Sequence, residues 1–291
     1  MPSSTSLARP CLRPPPDDMV DLDLSSVKSE RVIEVRRLHD RRHRESRGAF
    51  VVEGPPALEA AIGRGVAELY VTPQAQQRHG ELIARAQETG ARLWRVGEPV
   101  LEAMSETRQP QGIIAVCPLV TIPLDDALAA IGAGHRGFVV VLDRVNDPGN
   151  AGTVIRTADA MGAAAVILTE GSVDPHNGKC VRATAGSLFH VPISVDVSVA
   201  HVIDAVRTSG CVLVAADAHG TVALGTMGAD AVLSGKVAWV IGNEAHGVHA
   251  DLAAAAHETI AIPQFGGAES LNMAAAAAIC LYATAQAQSR S

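Results

Sequence analysis

The chain has 291 residues, 47% apolar, 19% charged and 3% aromatic, with a formal net charge of −7. This length favours two domains, the apolar fraction marks a globular protein, and no apolar run approaches the length of a membrane span. The cysteines (Cys11, Cys117, Cys180, Cys211, Cys280) are scattered with no CxxC pair, which excludes a disulfide framework and a zinc site and points to a reducing cytoplasm.

Residues 1–26 carry Pro14–Pro16, an acidic patch (Asp17, Asp18, Asp21, Asp23) and several serines, a composition that reads as a disordered tail without a signal-peptide pattern. Residues 27–118 read as a small α/β domain. Its expected helices are Arg31–His43, Pro55–Arg64, Gln74–Thr89 and Pro99–Ser105, with Pro55 and Pro99 suited to a first turn. Its expected strands are Ala49–Glu53, Glu68–Thr72, Ala91–Val96 and Gly112–Cys117. Lys28–Phe50 holds eight positive residues against four negative. Arg36, Arg37, Arg41, Arg42, Arg44 and Arg47 in it are candidate contacts to a phosphate backbone; the same pattern also fits a solvated helix in which Glu30 and Glu34 pair with arginines.

Residues 119–136 read as a linker with one short helix from Asp125 to Ile131. A second domain, 137–291, opens with the apolar run Phe138–Leu142, and similar runs recur at Ala165–Leu168, Val212–Ala216, Val237–Ile241 and Thr259–Ile262. Helices are expected between them at Ala151–Met161, Val199–Ser209 and Val248–Ala255, with a long alanine-rich helix Leu271–Gln288 at the end. Strands that are apolar throughout, alternating with helices, imply a largely parallel sheet covered on both faces.

Three segments concentrate polar residues at expected strand ends. In Asp143–Gly162, Asn150 stands where a helix N-cap belongs and Arg156 follows six residues on; taken alone, this also fits a plain turn with a surface arginine. In Val237–Val248, Gly242, Glu244 and Gly247 follow a buried strand, and glycines there let backbone approach a ligand. In Ile262–Ala274, Ser270 and Asn272 stand at the mouth of the last helix. Neither GxGxxG nor GxxxxGK[ST] occurs, so a flavodoxin-like or Rossmann-like nucleotide enzyme lacks its phosphate turn.

In this order and at these strand ends, Asn150 with Arg156, Gly242 with Glu244 and Gly247, and Ser270-Leu271-Asn272 resemble the three motifs of the SpoU/TrmH branch of the SPOUT methyltransferases. Residues 35–62 resemble the family's accessory L30e-like substrate-binding domain. The resemblance implies a mostly parallel C-terminal sheet with a deep trefoil knot, and S-adenosylmethionine-dependent methylation of an RNA ribose 2′-hydroxyl. Ribosomal RNA is favoured by the accessory domain; transfer RNA, or a catalytically silent RNA-binding protein of the same fold, are the alternatives. By the same carry-over, Gly242, Ile262 and Leu271, with Thr169, Glu170, Gly171 and Gly247 nearby, would hold the methyl donor. Arg156 would act on the hydroxyl, with Asn150, Ser270 and Asn272 holding the nucleotide and Glu244 orienting Arg156 or an asparagine. Lys179 and Arg182 would add RNA contacts. A homodimer, built on the last helix and the helix after Asn150, is implied, and no metal. After Asn272 the chain reads Met273-Ala274-Ala275-Ala276, where the family often has Val-Ser-Val-Ala.

Overall fold

The structure, a computed structural model, describes residues 22–131, 137–243 and 246–290. The chain divides into two compact units between Leu119 and Val120.

The first unit runs β1 (Leu22–Leu24), α1 (Glu30–Arg37), α2 (Arg41–Arg47), β2 (Ala49–Glu53), α3 (Pro55–Ala61), β3 (Glu68–Val71), α4 (Pro73–Arg78), α5 (Gly80–Glu88), β4 (Arg92–Val96), α6 (Glu98–Met104) and β5 (Ile113–Pro118). Its sheet has the order β1-β4-β3-β5-β2, with β5 antiparallel to both neighbours and the remaining pairs parallel. Val32 and Val35 of α1 pack with Leu101 and Met104 of α6 over Tyr70, Trp94 and Ile114. The guanidinium carbons of Arg31 and Arg92 lie 4.3 and 4.8 Å from the Trp94 ring centre, so cations cover the one indole of this unit.

Three expectations change here. Leu22–Leu24, read as tail, pairs in parallel with Trp94–Val96. The single helix expected over Arg31–His43 is two, because the Asp40 carboxylate accepts the Arg42 and His43 N–H groups and starts a new helix. Arg44, expected on an RNA-facing surface, is buried, and its Nη1 donates to the carbonyls of Leu38 (2.9 Å) and His39 (2.8 Å). Those carbonyls end α1 without helical partners, and the guanidinium satisfies them.

The second unit runs α7 (Leu124–Ala129), β6 (Phe138–Leu142), α8 (Pro148–Met161), β7 (Val166–Thr169), α9 (Gly178–Thr184), β8 (Ile193–Val197), α10 (Val199–Ser209), β9 (Val212–Ala216), β10 (Val222–Ala223), α11 (Met227–Leu233), β11 (Val237–Ile241), α12 (Ala250–Ala255), β12 (Glu258–Ala261) and α13 (Met273–Ser289). The sheet is parallel in every pair, in the order β10-β12-β9-β11-β6-β7-β8. Every residue of β6 and β11 is buried, as befits central strands with helices on both faces. Within the stretch read as a linker, residues 120–131 are part of this unit. Thr121 bridges to Ile193, and Leu124, Ala127 and Leu128 of α7 are buried in its core.

Two contacts fix the helices that flank the site. An added Cβ at Gly152 of α8 would lie 2.6 Å from the Ala183 Cβ and the Cys180 carbonyl, so α8 and α9 meet backbone to backbone. The fully buried Trp239 of β11 donates from Nε1 to Thr284 Oγ1 of α13 at 2.8 Å, and Thr284 Oγ1 donates to the Cys280 carbonyl at 2.9 Å. That chain of bonds ties the alanine-rich helix to the sheet with every polar atom partnered.

Candidate active site

All strands of the second sheet are parallel, so their carboxyl ends share one edge, where open α/β sheets bind ligands. There the ends of β9, β11 and β12 meet the segment before α13 around a pocket of about 240 Å³. Its walls are largely aliphatic, from Ala216, Ile241, Ile260, Ile262, Leu271 and Met273, and its polar groups come from Asp217, Gly242, Asn243, Gly247, Gln264 and Ser270. A Cβ at Gly242 would lie 2.4 Å from the Gly247 carbonyl carbon and 2.5 Å from the Val248 nitrogen. The loop after β11 therefore doubles back onto itself. Asn243 and Gly247 exchange backbone bonds of 3.1 and 2.8 Å, and Gly247 takes φ +65. Such a pocket offers apolar walls to a ligand and, among its described residues, one carboxylate that can accept from hydroxyls.

Between the lining residues Leu271 and Met273, Asn272 donates from Nδ2 to the Asn150 Oδ1 at 3.2 Å, joining residues 122 apart in sequence. Asn150 does not cap its helix as the sequence suggests. The N-cap of α8 is Asp147, whose Oδ1 accepts the Asn150 N–H at 2.8 Å, because Pro148 supplies the helical φ of the first turn. The N-cap of α13 is Asn272, not Ser270; its Oδ1 accepts from the N–H groups of Ala274 and Ala275. Asn272 is exposed. Lys179 Nζ pairs with the second Asp147 oxygen at 2.8 Å, and with the Asn150 N–H it holds that carboxyl below the usual range. So the cation expected to grip RNA is engaged at the helix start.

Arg156 lies further along α8, exposed, with no ion pair among the described residues. Six helical residues correspond to roughly 120° of net rotation and about 9 Å of rise, so the helix itself does not bring Arg156 onto Asn150. Glu244 lies outside the described residues.

Thr169, Glu170 and Gly171 do not line the pocket. The strand order puts β7 beyond β6, away from β9 and β12. Thr169 is buried, accepts the Arg144 N–H at 3.0 Å and donates to Asp143 Oδ1 at 3.0 Å. In their place the pocket uses Ala216, Asp217 and Ala218, and the only sequence signal for them is that the buried strand Val212–Ala216 is followed at once by an acidic residue.

On the first unit, Arg37 and Arg41 pair with Glu34 and Glu45 at 2.6 and 2.7 Å. Arg36, Arg42 and Arg47 are exposed and carry no side-chain ion pair among the described residues. Arg182 is exposed on α9.

Residues 137–282 match the SpoU rRNA Methylase family and residues 29–115 the MRM3-like substrate binding domain. The chain is 34% identical to the 23S rRNA (guanosine(2553)-2′-O)-methyltransferase RlmP of Bacillus subtilis, over 89% of this chain and 97% of that one. Among solved structures it resembles an AdoMet-bound rRNA methyltransferase from Sinorhizobium meliloti, with a TM-score of 0.78 and 31% identity over 91% of this chain and 97% of that one. It also resembles the SpoU methyltransferase AviRb from Streptomyces viridochromogenes in complex with AdoMet, with a TM-score of 0.77 and 29% identity over 90% of this chain and all of that one.

Proposed function

We infer that this chain, which belongs to the SpoU rRNA methylase family, is an S-adenosylmethionine-dependent methyltransferase acting on a ribose 2′-hydroxyl of ribosomal RNA. The observation that carries this is an aliphatic strand-end pocket lined by Leu271 and Met273, the chain neighbours of Asn272, which itself bonds Asn150.

The pocket residues fit the methyl donor. Aliphatic side chains of Ile241, Ile262 and Leu271 suit the faces of adenine, and backbone at Gly242, Ile262 and Leu271 suits its edge, which presents both donors and acceptors. Asp217, the one carboxylate among the described lining residues, suits ribose hydroxyls. Bound S-adenosylmethionine supplies an electrophilic methyl group on a sulfonium.

The rest of the work falls to this chain's own residues. A 2′-hydroxyl is a weak acid and must lose its proton as the new bond forms, and in-line geometry supplies much of the acceleration. Asn150 and Asn272 hold the acceptor nucleotide at the pocket mouth, with Ser270 beside them. Arg156, a guanidinium that does not deprotonate in proteins, stabilises the developing alkoxide or grips the adjacent phosphate of RNA laid along α8. Glu244 orients Arg156 or one of the asparagines. On the first unit Arg36, Arg42 and Arg47, with Arg182 on the second, contact phosphates without reading sequence. The exposed Ile279 and Tyr282 of α13 form the contact of a homodimer. Buried thiols at Cys117, Cys180, Cys211 and Cys280 suit a reducing cytoplasm, and no helix among the described residues is long and apolar enough to cross a membrane.

Mapping 2′-O-methyl groups in total RNA from cells with and without this protein tests the reading. One ribosomal position should lose its methyl group and regain it with the wild-type chain but not with Arg156→Ala. A site in transfer RNA would move the substrate to the alternative; no lost site would overturn the activity.

A further inference from the structure

Arg144 holds φ +52, in the left-handed region that residues other than glycine seldom occupy. Its surroundings determine this conformation from both sides. The Arg144 N–H donates to Thr169 Oγ1 at 3.0 Å, and its carbonyl accepts from Asn243 Nδ2 at 2.8 Å. The flanking carbonyls of Leu142 and Val145 accept from Ser172 Oγ at 3.3 Å and the Val173 N–H at 2.8 Å. The ends of β6, β7 and β11 are thus stitched together through one residue. Glycine would occupy this position without steric cost, yet an arginine stands here, and backbone strain of this kind persists where a side chain must be aimed.

The guanidinium is fixed along one edge. Its Nε and Nη2 face Asp143 Oδ2 at 3.4 and 3.3 Å. Asp143 is fully buried and also accepts the His249 N–H at 2.7 Å and the Thr169 hydroxyl at 3.0 Å. The arginine side chain nevertheless keeps 37% of its surface exposed. Among the described residues it has no other ion pair, so the donors of its remaining edge face solvent at the carboxyl edge of the sheet that also carries the donor pocket. A rigid fork with free donors matches the oxygens of a phosphodiester.

We propose that Arg144 binds a phosphodiester of the substrate RNA beside the acceptor nucleotide, oriented for it by the buried Asp143. The proposal rests on the RNA-methylation reading above. The competing role is internal only, with Arg144 serving to neutralise Asp143.

The test uses the full chain and an unmodified in vitro transcript of large-subunit ribosomal RNA. Arg144→Gly removes the guanidinium and relieves the left-handed strain, and Arg144→Lys keeps the charge but not the fork. Arg144→Gly should raise the RNA KM about tenfold and lower the slope of log Kd against log salt by about one phosphate contact. S-adenosylmethionine affinity should stay within about twofold, and thermal unfolding should show a folded protein. Arg144→Lys should restore the salt slope but recover the affinity only in part. A folded Arg144→Gly protein with wild-type RNA KM and salt slope overturns the proposal. So does a loss of S-adenosylmethionine affinity by the same factor as RNA affinity, which marks the internal role. If Arg144→Gly does not fold, Arg144→Lys with unchanged RNA affinity overturns it. A wild-type chain that methylates the transcript while the variants match it sinks the proposal alone, whereas a wild-type chain that neither binds nor methylates it sinks the underlying reading as well.

Discussion

Asn272 uses its side chain twice: Oδ1 caps α13 and Nδ2 reaches Asn150. The two uses separate on substitution. Asn272→Asp keeps the cap and adds a charge that a helix N-terminus favours, but it loses the donor. Thermal stability should hold or rise slightly, while single-turnover methyl transfer falls about tenfold, the equivalent of one lost hydrogen bond of roughly 1.4 kcal/mol. Asn272→Ala should lose both, with about 1 kcal/mol of stability. Asp147 gives a pH-dependent counterpart. Its folded carboxyl lies below the ordinary value, chiefly through Lys179 and then the Asn150 N–H, so its contribution exists above the unfolded carboxylate pKa and vanishes as pH falls through the lowered one. Wild type should exceed Asp147→Asn at pH 7 by a fraction of a kcal/mol, solvent screening keeping it small, and the two should converge as pH falls through the lowered Asp147 value in urea titrations. Asn150, Ser270 and Asn272 were legible as polar residues at apolar strand ends. Which of them caps a helix was not, because that depends on Pro148 and on where a turn closes. Arg44 was misread because charge alone cannot show a guanidinium turned inward onto two carbonyls.

Among the elements, the strands that are apolar from end to end, Phe138–Leu142, Val212–Ala216 and Val237–Ile241, are identical in sequence reading and structure. β8, Ile193–Val197, escaped notice because its Ser194 and Asp196 interrupt the apolar run, as suits a strand at the sheet's edge. Packing of α8 on α9 makes a firm prediction. Gly152→Ala would ordinarily favour a helix by up to about 1 kcal/mol, but its methyl would meet Cys180 and Ala183 at 2.6 Å. Overpacking should win and destabilise by about 1–3 kcal/mol in chemical denaturation. The loop after β11 makes a second. Gly242→Ala must push Gly247 and Val248 away, so S-adenosylmethionine binding by calorimetry should weaken at least about tenfold.

Over the whole molecule, parallel architecture followed from the alternation of strands and helices, but neighbour relations did not. Nothing in the local pattern around Thr169 says that β6 separates β7 from β11, so Thr169–Gly171 were assigned to a pocket that Asp217 and its neighbours line instead. Every described lining residue of the pocket comes from the second unit. A chain of residues 120–291 should therefore keep S-adenosylmethionine affinity within about twofold in calorimetry, yet bind ribosomal RNA at least about tenfold more weakly by filter retention, having lost Arg36, Arg42 and Arg47.

The two tryptophans of the chain fall one to each unit, Trp94 in contact with two guanidinium groups and Trp239 bonded to Thr284 of α13. Emission from the two indoles is consequently separable by a single substitution. In a Trp94→Phe protein, the wavelength and intensity of the remaining signal follow the undocking of the last helix alone, and the difference from wild type follows the other unit. Titrating either protein with denaturant thereby reads out whether the two halves melt together or in turn, without any attached label.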